Sequence, residues 1–330
     1  MNEFLKSYVV VTDYLNVGCG EDVSEILQRV IDENPNRTLF FPDGEYLIGK
    51  PVFTPAAPAR SVSLKLADFA VIRAMDGWSD EGAMIRLGGK DPENDIFTPG
   101  SNYGLDGGII DCRGLANGIS IDGGRETYVR NTSIKNALIG LHIQYGANSG
   151  SSDADIFGVN ITGTGRRDSV GVLIEGLDNT LTNMRIGNVF TGVHIKRGGN
   201  MLRNIHPLYY ITSESYSDYA ETVGFLDDFG KNNWYDFCYS DHFATGFRTV
   251  TGGGSFRECF AYWYSDREAR HVAFESTAPF WGRINGMTVG GRPACGNENR
   301  FAEHLACTSD AVVRDVTVGG HLLSKQELLL

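Results

Sequence analysis

Gly118-Ile119-Ser120-Ile121-Asp122 is a short phrase that keeps returning: Gly140-Leu-His-Ile-Gln144, Gly171-Val-Leu-Ile-Glu175, Gly192-Val-His-Ile-Lys196 and Gly246-Phe-Arg-Thr-Val250. Successive leading glycines are separated by 22, 31, 21 and 54 residues. The first and third gaps fit one coil of about 20–30 residues, the range of repeat architectures. The second gap reads as one coil plus an insertion. The last reads as two coils plus an insertion, with a degenerate copy near Gly224. Short β phrases stacked on their own copies predict a parallel β-helix. Stacking turns the sequence into a map, because residues at the same place in each phrase form columns on one face.

A solenoid grows in one dimension, so the 330 residues are expected to form one all-β domain over 1–330, with loop insertions near 147–167 and 206–221. The 41 glycines against 10 prolines suit many tight turns between short strands. A net charge of −12 argues against a nucleic-acid partner, which needs clustered Lys and Arg. No apolar run approaches the ~18–20 residues of a membrane span. The N-terminus lacks a signal-peptide pattern, so a native start here implies a cytoplasmic location. None of the six cysteines forms a C-x-x-C pair, which disfavours zinc; Cys238 and Cys259, about one coil apart, read as reduced interior residues.

Working back toward the N-terminus, residues 8–17 read as an opening strand. Val23, Ile26, Leu27, Val30 and Ile31 follow at the spacing of one amphipathic helix stripe, ended by Asn34-Pro35. Residues 37–48 read as strand, turn at Pro42-Asp43-Gly44, strand. This helix would cap the open end of the first coil, giving an N-terminal cap over about 1–50. The run ILQRVIDENPNRTLFFPDGEYLI (26–48) resembles the N-terminal cap and first coil of the pectate-lyase-like right-handed parallel β-helix superfamily. GGIIDCRG (107–114) is similar to the G-x-I-D-G-x-G phrase of its polygalacturonase-type members. The resemblance implies a right-handed parallel β-helix and a carbohydrate substrate. The superfamily includes glycoside hydrolases, polysaccharide lyases, epimerases, fructotransferases and phage tailspikes. The chain departs from the polygalacturonase pattern: it has no Asn-Thr-Asp and no Gly-His-Gly, and His194-Ile195-Lys196 matches Arg-Ile-Lys only in part.

In each phrase the apolar residues alternate, so Leu141 and Ile143 point in while His142 and Gln144 point out. One outward column then runs Ser120, His142, Leu173, His194, Phe225 or Leu226, and Arg248. The other runs Asp122, Gln144, Glu175, Lys196, Asp227 or Asp228, and Val250. A second recurrence, Ser217-Asp218, Ser240-Asp241 and Ser265-Asp266, extends the columns to Ala273 and Glu275. The two anchors disagree by one residue near Gly224: the glycines expose Asp228, the Ser-Asp pairs Asp227. Two coils separate Glu175 from these aspartates, roughly 9–10 Å of backbone. Side chains could bring the carboxyls to the ~6.5–9.5 Å of an inverting glycosidase.

The leading expectation is therefore a carbohydrate-active enzyme, a glycoside hydrolase with Glu175 and Asp227 or Asp228 as acid and base. His142, His194, Lys196, Arg248, Asp122 and Gln144 would bind substrate and tune the carboxyls. Two alternatives stand beside it: a polysaccharide lyase or epimerase on a uronate, using Lys196, His194 or Arg248, and a non-catalytic sugar-binding or tailspike-like protein. Aromatic residues crowd 209–264, where Tyr209 and Tyr210 are candidates for a substrate wall, core stacking being the competing reading. The Ser-Asp pairs read first as turn openers; stacked, their carboxylates would suit calcium. No other cofactor or metal is expected, and a homo-oligomer is compatible with the sequence.

Overall fold

The computed structural model describes residues 8–57, 60–90, 103–145, 151–210, 216–264, 270–293 and 298–328. These residues are almost wholly β, with parallel pairing and two short α-helices, Ser24–Glu33 and Lys325–Leu328. Contacts group the chain into two compact units: Met1–Thr162 with Glu175–Asn179, and Gly163–Ile174 with Thr180–Leu330. Each is built of stacked coils. No helix among the described residues is long and apolar enough to cross a membrane.

In the first unit, the helix Ser24–Glu33 buries Leu27, Val30 and Ile31, the stripe read from the sequence. Asp22 Oδ1 accepts the backbone N–H groups of Ser24 (2.8 Å) and Gly49 (3.1 Å), tying the helix start to the strand Gly44–Ile48. The opening strand is shorter than expected. It covers only Val9–Val10, because the Val11 carbonyl then accepts the N–H groups of Tyr14 and Leu15 and closes a 3-10 turn. The strands Ala83–Leu87, Asn117–Ile121 and Ile139–Ile143 pair in parallel, stacking Ile85, Ile119 and Leu141 inward. The expected loop insertion at 147–167 contains three strands instead, Ser151–Ser152, Asp155–Phe157 and Asn160–Gly163, with residues 146–150 outside the described residues. Ile156, Val159 and Ile161 are buried there, but Gly158 at φ 65° breaks their alternation, so the sequence period is hidden.

In the second unit, the strands Val170–Ile174, Thr191–Ile195, Val223–Asp227, Thr245–Thr249 and Val272–Ser276 stack in register. The repeated glycine is explained by close approach. A Cβ on Gly192 would lie 2.3 Å from the Gly224 carbonyl oxygen, and one on Gly224 2.7 Å from that of Gly246. The residue after each glycine points inward, and Phe225 stacks on Phe247 at 4.7 Å and 4°. Phe247 in turn aligns with Phe274. The second expected insertion, 206–221, is narrower than predicted: His206–Leu208 belongs to the strand Met201–Leu208, and Tyr216–Glu221 forms a 3-10 helix.

The glycine anchor sets the register. Leu226 aligns with His194 and Arg248 on the outside, and Asp227 aligns with Ile195 on the inside. The Ser-Asp anchor slips because its copies are not equivalent: Asp218 lies in the 3-10 helix, Asp241 in the strand Tyr239–Asp241, and Ser265-Asp266 outside the described residues. Glu275 consequently aligns with Arg248 in the first column, and Ala273 is buried.

Asp227, expected as a catalytic carboxylate, is 1% exposed in a column otherwise apolar at Ile174 and Ile195. Its oxygens accept from the Phe229 and Gly230 N–H groups (3.0 and 2.6 Å), Asn233 Nδ2 (3.2 and 3.1 Å) and the Tyr235 hydroxyl (2.8 Å). Burial raises its pKa, and those donors pull it back only in part. It organises the turn after its strand and offers no accessible oxygen. Burial likewise pushes the Cys238 thiol up to about 12, in keeping with a reduced interior cysteine.

His242 and His271 pack with Tyr219, Trp263 and Tyr264. Burial, then the neighbouring His271, lowers the His242 pKa to about 3; burial lowers that of His271 while its bond to Asn299 opposes it. Both folded values lie below the unfolded one, so the unfolded chain takes up protons that the folded chain refuses. Stability should be fully present above about pH 6.5 and fall as pH drops below it, by up to about 1.4 kcal/mol per unit for each histidine. Urea melts between pH 7.5 and 4.5, on the order of common buffer ranges, should show this slope, and His242→Asn should flatten it. A slope unchanged in that variant would exclude His242. Asp227→Ala leaves a tyrosine hydroxyl, one N–H of the Asn233 amide and two backbone N–H groups unpartnered and should cost about 2–5 kcal/mol, whereas Asp227→Asn should cost less. Thermal melts with the alanine variant matching the parent would contradict the organising role.

Candidate functional site

The outward columns can now be read for each unit. In the first unit Ser120 aligns with Arg86 on one side and His142 on the other. The second column is set by backbone bonds that climb one coil at a time: Asp122 N–H to the Leu87 carbonyl, Gln144 to Ile121 and Glu175 to Ile143. Asp122 is 6% exposed and closed by its neighbours: Arg86 (2.6 Å), the Ser120 hydroxyl (2.5 Å) and Gln144 Nε2 (2.7 Å). Arg86 also lies over the Phe53 ring at 5.0 Å. Asp122 therefore orders Arg86 and Gln144 rather than offering its own oxygens. His142 Nε2 bonds Glu175 Oε2 at 2.9 Å, and the Glu175 side chain remains 32% exposed.

In the second unit the same arrangement recurs. His194 Nε2 bonds Asp228 Oδ2 at 2.7 Å, with Asp228 39% exposed. In both pairs the histidine stands in the first column and the acid in the second column of the next coil. An ionised carboxylate only accepts, so Nε2 carries the proton in each pair and, in the neutral ring, Nδ1 is the acceptor. Leu173 and Leu226 flank His194 in its column, so the ring sits between apolar side chains. Lys196 is exposed at the end of the same phrase.

Two coils past His194, Arg248 is not an open cation. Its Nε donates to Glu275 Oε2 at 2.8 Å; Arg270 bridges Glu275 (3.4 Å) and Glu303 (3.2 Å) and donates to Thr245 Oγ1 at 2.5 Å. Burial raises the Glu275 pKa, but Arg248 and Arg270 outweigh it and hold the carboxyl below its ordinary value. The sequence reading missed Arg86, Arg270 and Glu303. Arg86 lies in Ala83–Leu87, which lacks the leading glycine, and Arg270 and Glu303 lie outside any phrase.

The expected aromatic wall divides. Tyr209 is 1% exposed, packed against Tyr219 and Phe243, and is core. Tyr210 is exposed, its hydroxyl set over Gly187, where a Cβ would come within 2.9 Å. Tyr235 and Trp263 are core as well, while Trp234 and Tyr264 are exposed. The Ser-Asp carboxylates do not gather: Asp218 pairs with Arg167 (3.4 Å) and Asp241 with His206 (3.4 Å). Among the described residues no three His, Cys, Asp or Glu side chains are arranged to hold a metal ion.

No protein-family model matches the sequence, and no curated protein does. Solved structures do match in fold. The tailspike protein of E. coli bacteriophage HK620, solved in complex with a pentasaccharide, has a TM-score of 0.66 at 10% identity, over 96% of this chain and 67% of its own. The family 28 exopolygalacturonase of Yersinia enterocolitica has a TM-score of 0.63 at 12% identity, over 95% of this chain and 75% of its own. An alginate lyase from Paenibacillus sp. FPU-7 has a TM-score of 0.60 at 14% identity, over 86% of this chain and 97% of its own. The chain spans 60% of the length of ORF18 of Geobacillus virus E2, which it also matches. With its parallel coils, repeated glycine column and stacked interior, this chain has the right-handed parallel β-helix fold that these proteins share.

Proposed function

We propose that the outward columns bind a carbohydrate and that the protein is a glycoside hydrolase acting on an oligo- or polysaccharide. The observation that carries this reading is the repeated histidine–carboxylate pair, His142–Glu175 and His194–Asp228. A carboxyl that is exposed on one side and bonded to an imidazole on the other suits general acid–base work. The imidazole orients it and offers a route for the proton. Glu175 in the first unit and Asp228 in the second are each suited to a proton transfer of glycosidic cleavage, protonating a leaving oxygen or taking a proton from water. Gln144 in the first unit and Lys196 in the second bind substrate hydroxyl or carboxylate groups. Arg248, held by Glu275, keeps Thr245 and Arg270 in place, and Tyr210 offers an exposed ring. The presence of an exopolygalacturonase among proteins of the same fold supports a hydrolase, although a shared fold does not fix chemistry.

The second reading is a lyase or epimerase on a uronate. It is favoured by the exposed Lys196, in the same phrase as His194, as a base next to a proton-carrying imidazole. A polysaccharide panel read by reducing-end release and by ultraviolet absorbance of unsaturated products separates the two. Reducing ends without absorbance support the hydrolase; reducing ends with absorbance support the lyase. On any substrate so found, Glu175→Gln and Asp228→Asn should each lower kcat about 100- to 10,000-fold with little change in KM. His142→Gln and His194→Gln should lower it less and shift the pH profile. Carboxamide variants that turn over like the parent would end the catalytic reading and leave a sugar-binding protein.

A further inference from the structure

A different face of the second unit combines arginines with exposed aromatic rings. Five strands stack there in parallel register, contributing Met201 and Arg203, Trp234 and Asp236, Ser255 and Arg257, Arg283 and Asn285, and Val312 and Arg314. The residue between each of the first four pairs (Leu202, Tyr235, Phe256 and Ile284) is buried, so the named residues share the outward side. These columns hold four guanidinium groups and one carboxylate, Asp236, with Glu258 and Asp315 following in the same strands, on a chain of net charge −12. Asp236 takes two bonds from Arg257 (2.5 and 2.7 Å) and lies 3.6 Å from Arg203. Arg314 donates to Asn285 (2.8 Å) and lies 3.8 Å from Asp315, the next residue of its strand, and Glu258, next to Arg257, is also exposed. Arg283 has no ion pair among the described residues.

The apolar members of this face are exposed where a folded chain ordinarily hides them. Trp234 is 42% exposed, with Met201 on one side and the short Ser255 on the other. Phe237, at the turn beside it, is 50% exposed and has φ 51°, with the Arg257 guanidinium 5.9 Å from its ring. Phe237 takes the left-handed corner that Asn204, Glu258 and Asp315 take in the neighbouring coils (φ 51°, 48° and 57°).

We propose that this face binds a linear anionic polysaccharide, as an accessory surface separate from the histidine–carboxylate columns. Arg203, Arg257 and Arg314 stand on alternate coils, about 10 Å apart, so the row spans roughly 19 Å along the coil axis. That is the arrangement an extended polymer with periodic carboxylates or sulfates fits, each charge meeting a rigid, planar donor. The gap over Ser255 leaves an indole face for the C–H side of a sugar ring.

The test is affinity electrophoresis through gels carrying polygalacturonate, alginate or neutral dextran, with a single-stranded oligonucleotide as competitor and sedimentation of the free protein in parallel. Polygalacturonate or alginate should retard the protein and dextran should not, with retardation lost at high salt. The Arg203→Gln/Arg257→Gln/Arg314→Gln variant should bind at least about 10-fold more weakly, and Trp234→Ala several-fold more weakly. Arg283→Gln, which breaks no ion pair, gives a milder version if the triple variant melts early. The triple variant should keep the parent's kcat on any substrate the panel finds, which separates this surface from the proposed catalytic columns. Unchanged retardation of a folded triple variant, equal retention by dextran, or tighter binding of the oligonucleotide would overturn the proposal. So would an oligomer in sedimentation that the triple variant dissolves, which would make the face an interface between copies.

Discussion

The close passage of one coil's backbone over the next governs much of this structure. Where a glycine opens each phrase, the neighbouring carbonyl occupies the place of the missing Cβ, as at Gly118 under Gly140 and Gly192 under Gly224. A side chain at those positions would push two coils apart and break the parallel ladder on both sides. Once the glycines are stacked, the period of two along each strand leaves no freedom: the next residue goes in, the one after goes out. The Phe225–Phe247 stack and the outward His194–Leu226–Arg248 column are both consequences of that single contact.

Parallel stacking also brings identical positions together, and this has a cost for charge. Like charges in one column would repel at one-coil spacing, so the outward strands alternate sign or bridge across columns. Lys65 meets Asp106 at 2.8 Å, Arg73 meets Asp111 at 3.0 Å, and Arg257 meets Asp236. Exposed pairs of this kind contribute little each; their effect is to make a register with matched charges preferable to a slipped one. The histidine–carboxylate pairs follow the same logic diagonally, across columns and coils. What sets them apart is that a neutral imidazole has one nitrogen to donate and one to accept, while a guanidinium only donates.

Legibility varied with the strength of the local signal. The helix Ser24–Glu33 was readable because five apolar residues fall on one stripe, and the columns around His142 and His194 because glycine, apolar and polar positions agree. The strands at 151–163 were not readable, since a positive-φ glycine interrupts their alternation. Arg86 and Arg270 escaped because nothing in their neighbourhood repeats. Tyr209 misled for a different reason: a tyrosine beside a predicted groove looks the same in sequence whether its ring faces sugar or packs against Phe243.

By itself the sequence determined the coil, its period and the outward placement of His142, Glu175, His194 and Lys196, because those follow from alternation anchored on glycine. Tertiary structure decided which aspartate faces out. Asp227 and Asp228 are adjacent and chemically alike, and the two repeats in the sequence choose differently between them, the glycines exposing Asp228 and the Ser-Asp pairs Asp227. The choice falls to partners distant from that strand's pattern: Asn233, Tyr235 and two turn N–H groups satisfy a carboxylate in the interior, and His194 meets the other at the surface. A buried carboxylate is tolerated only where its hydrogen bonds are complete, and that condition is met in three dimensions, not along the chain.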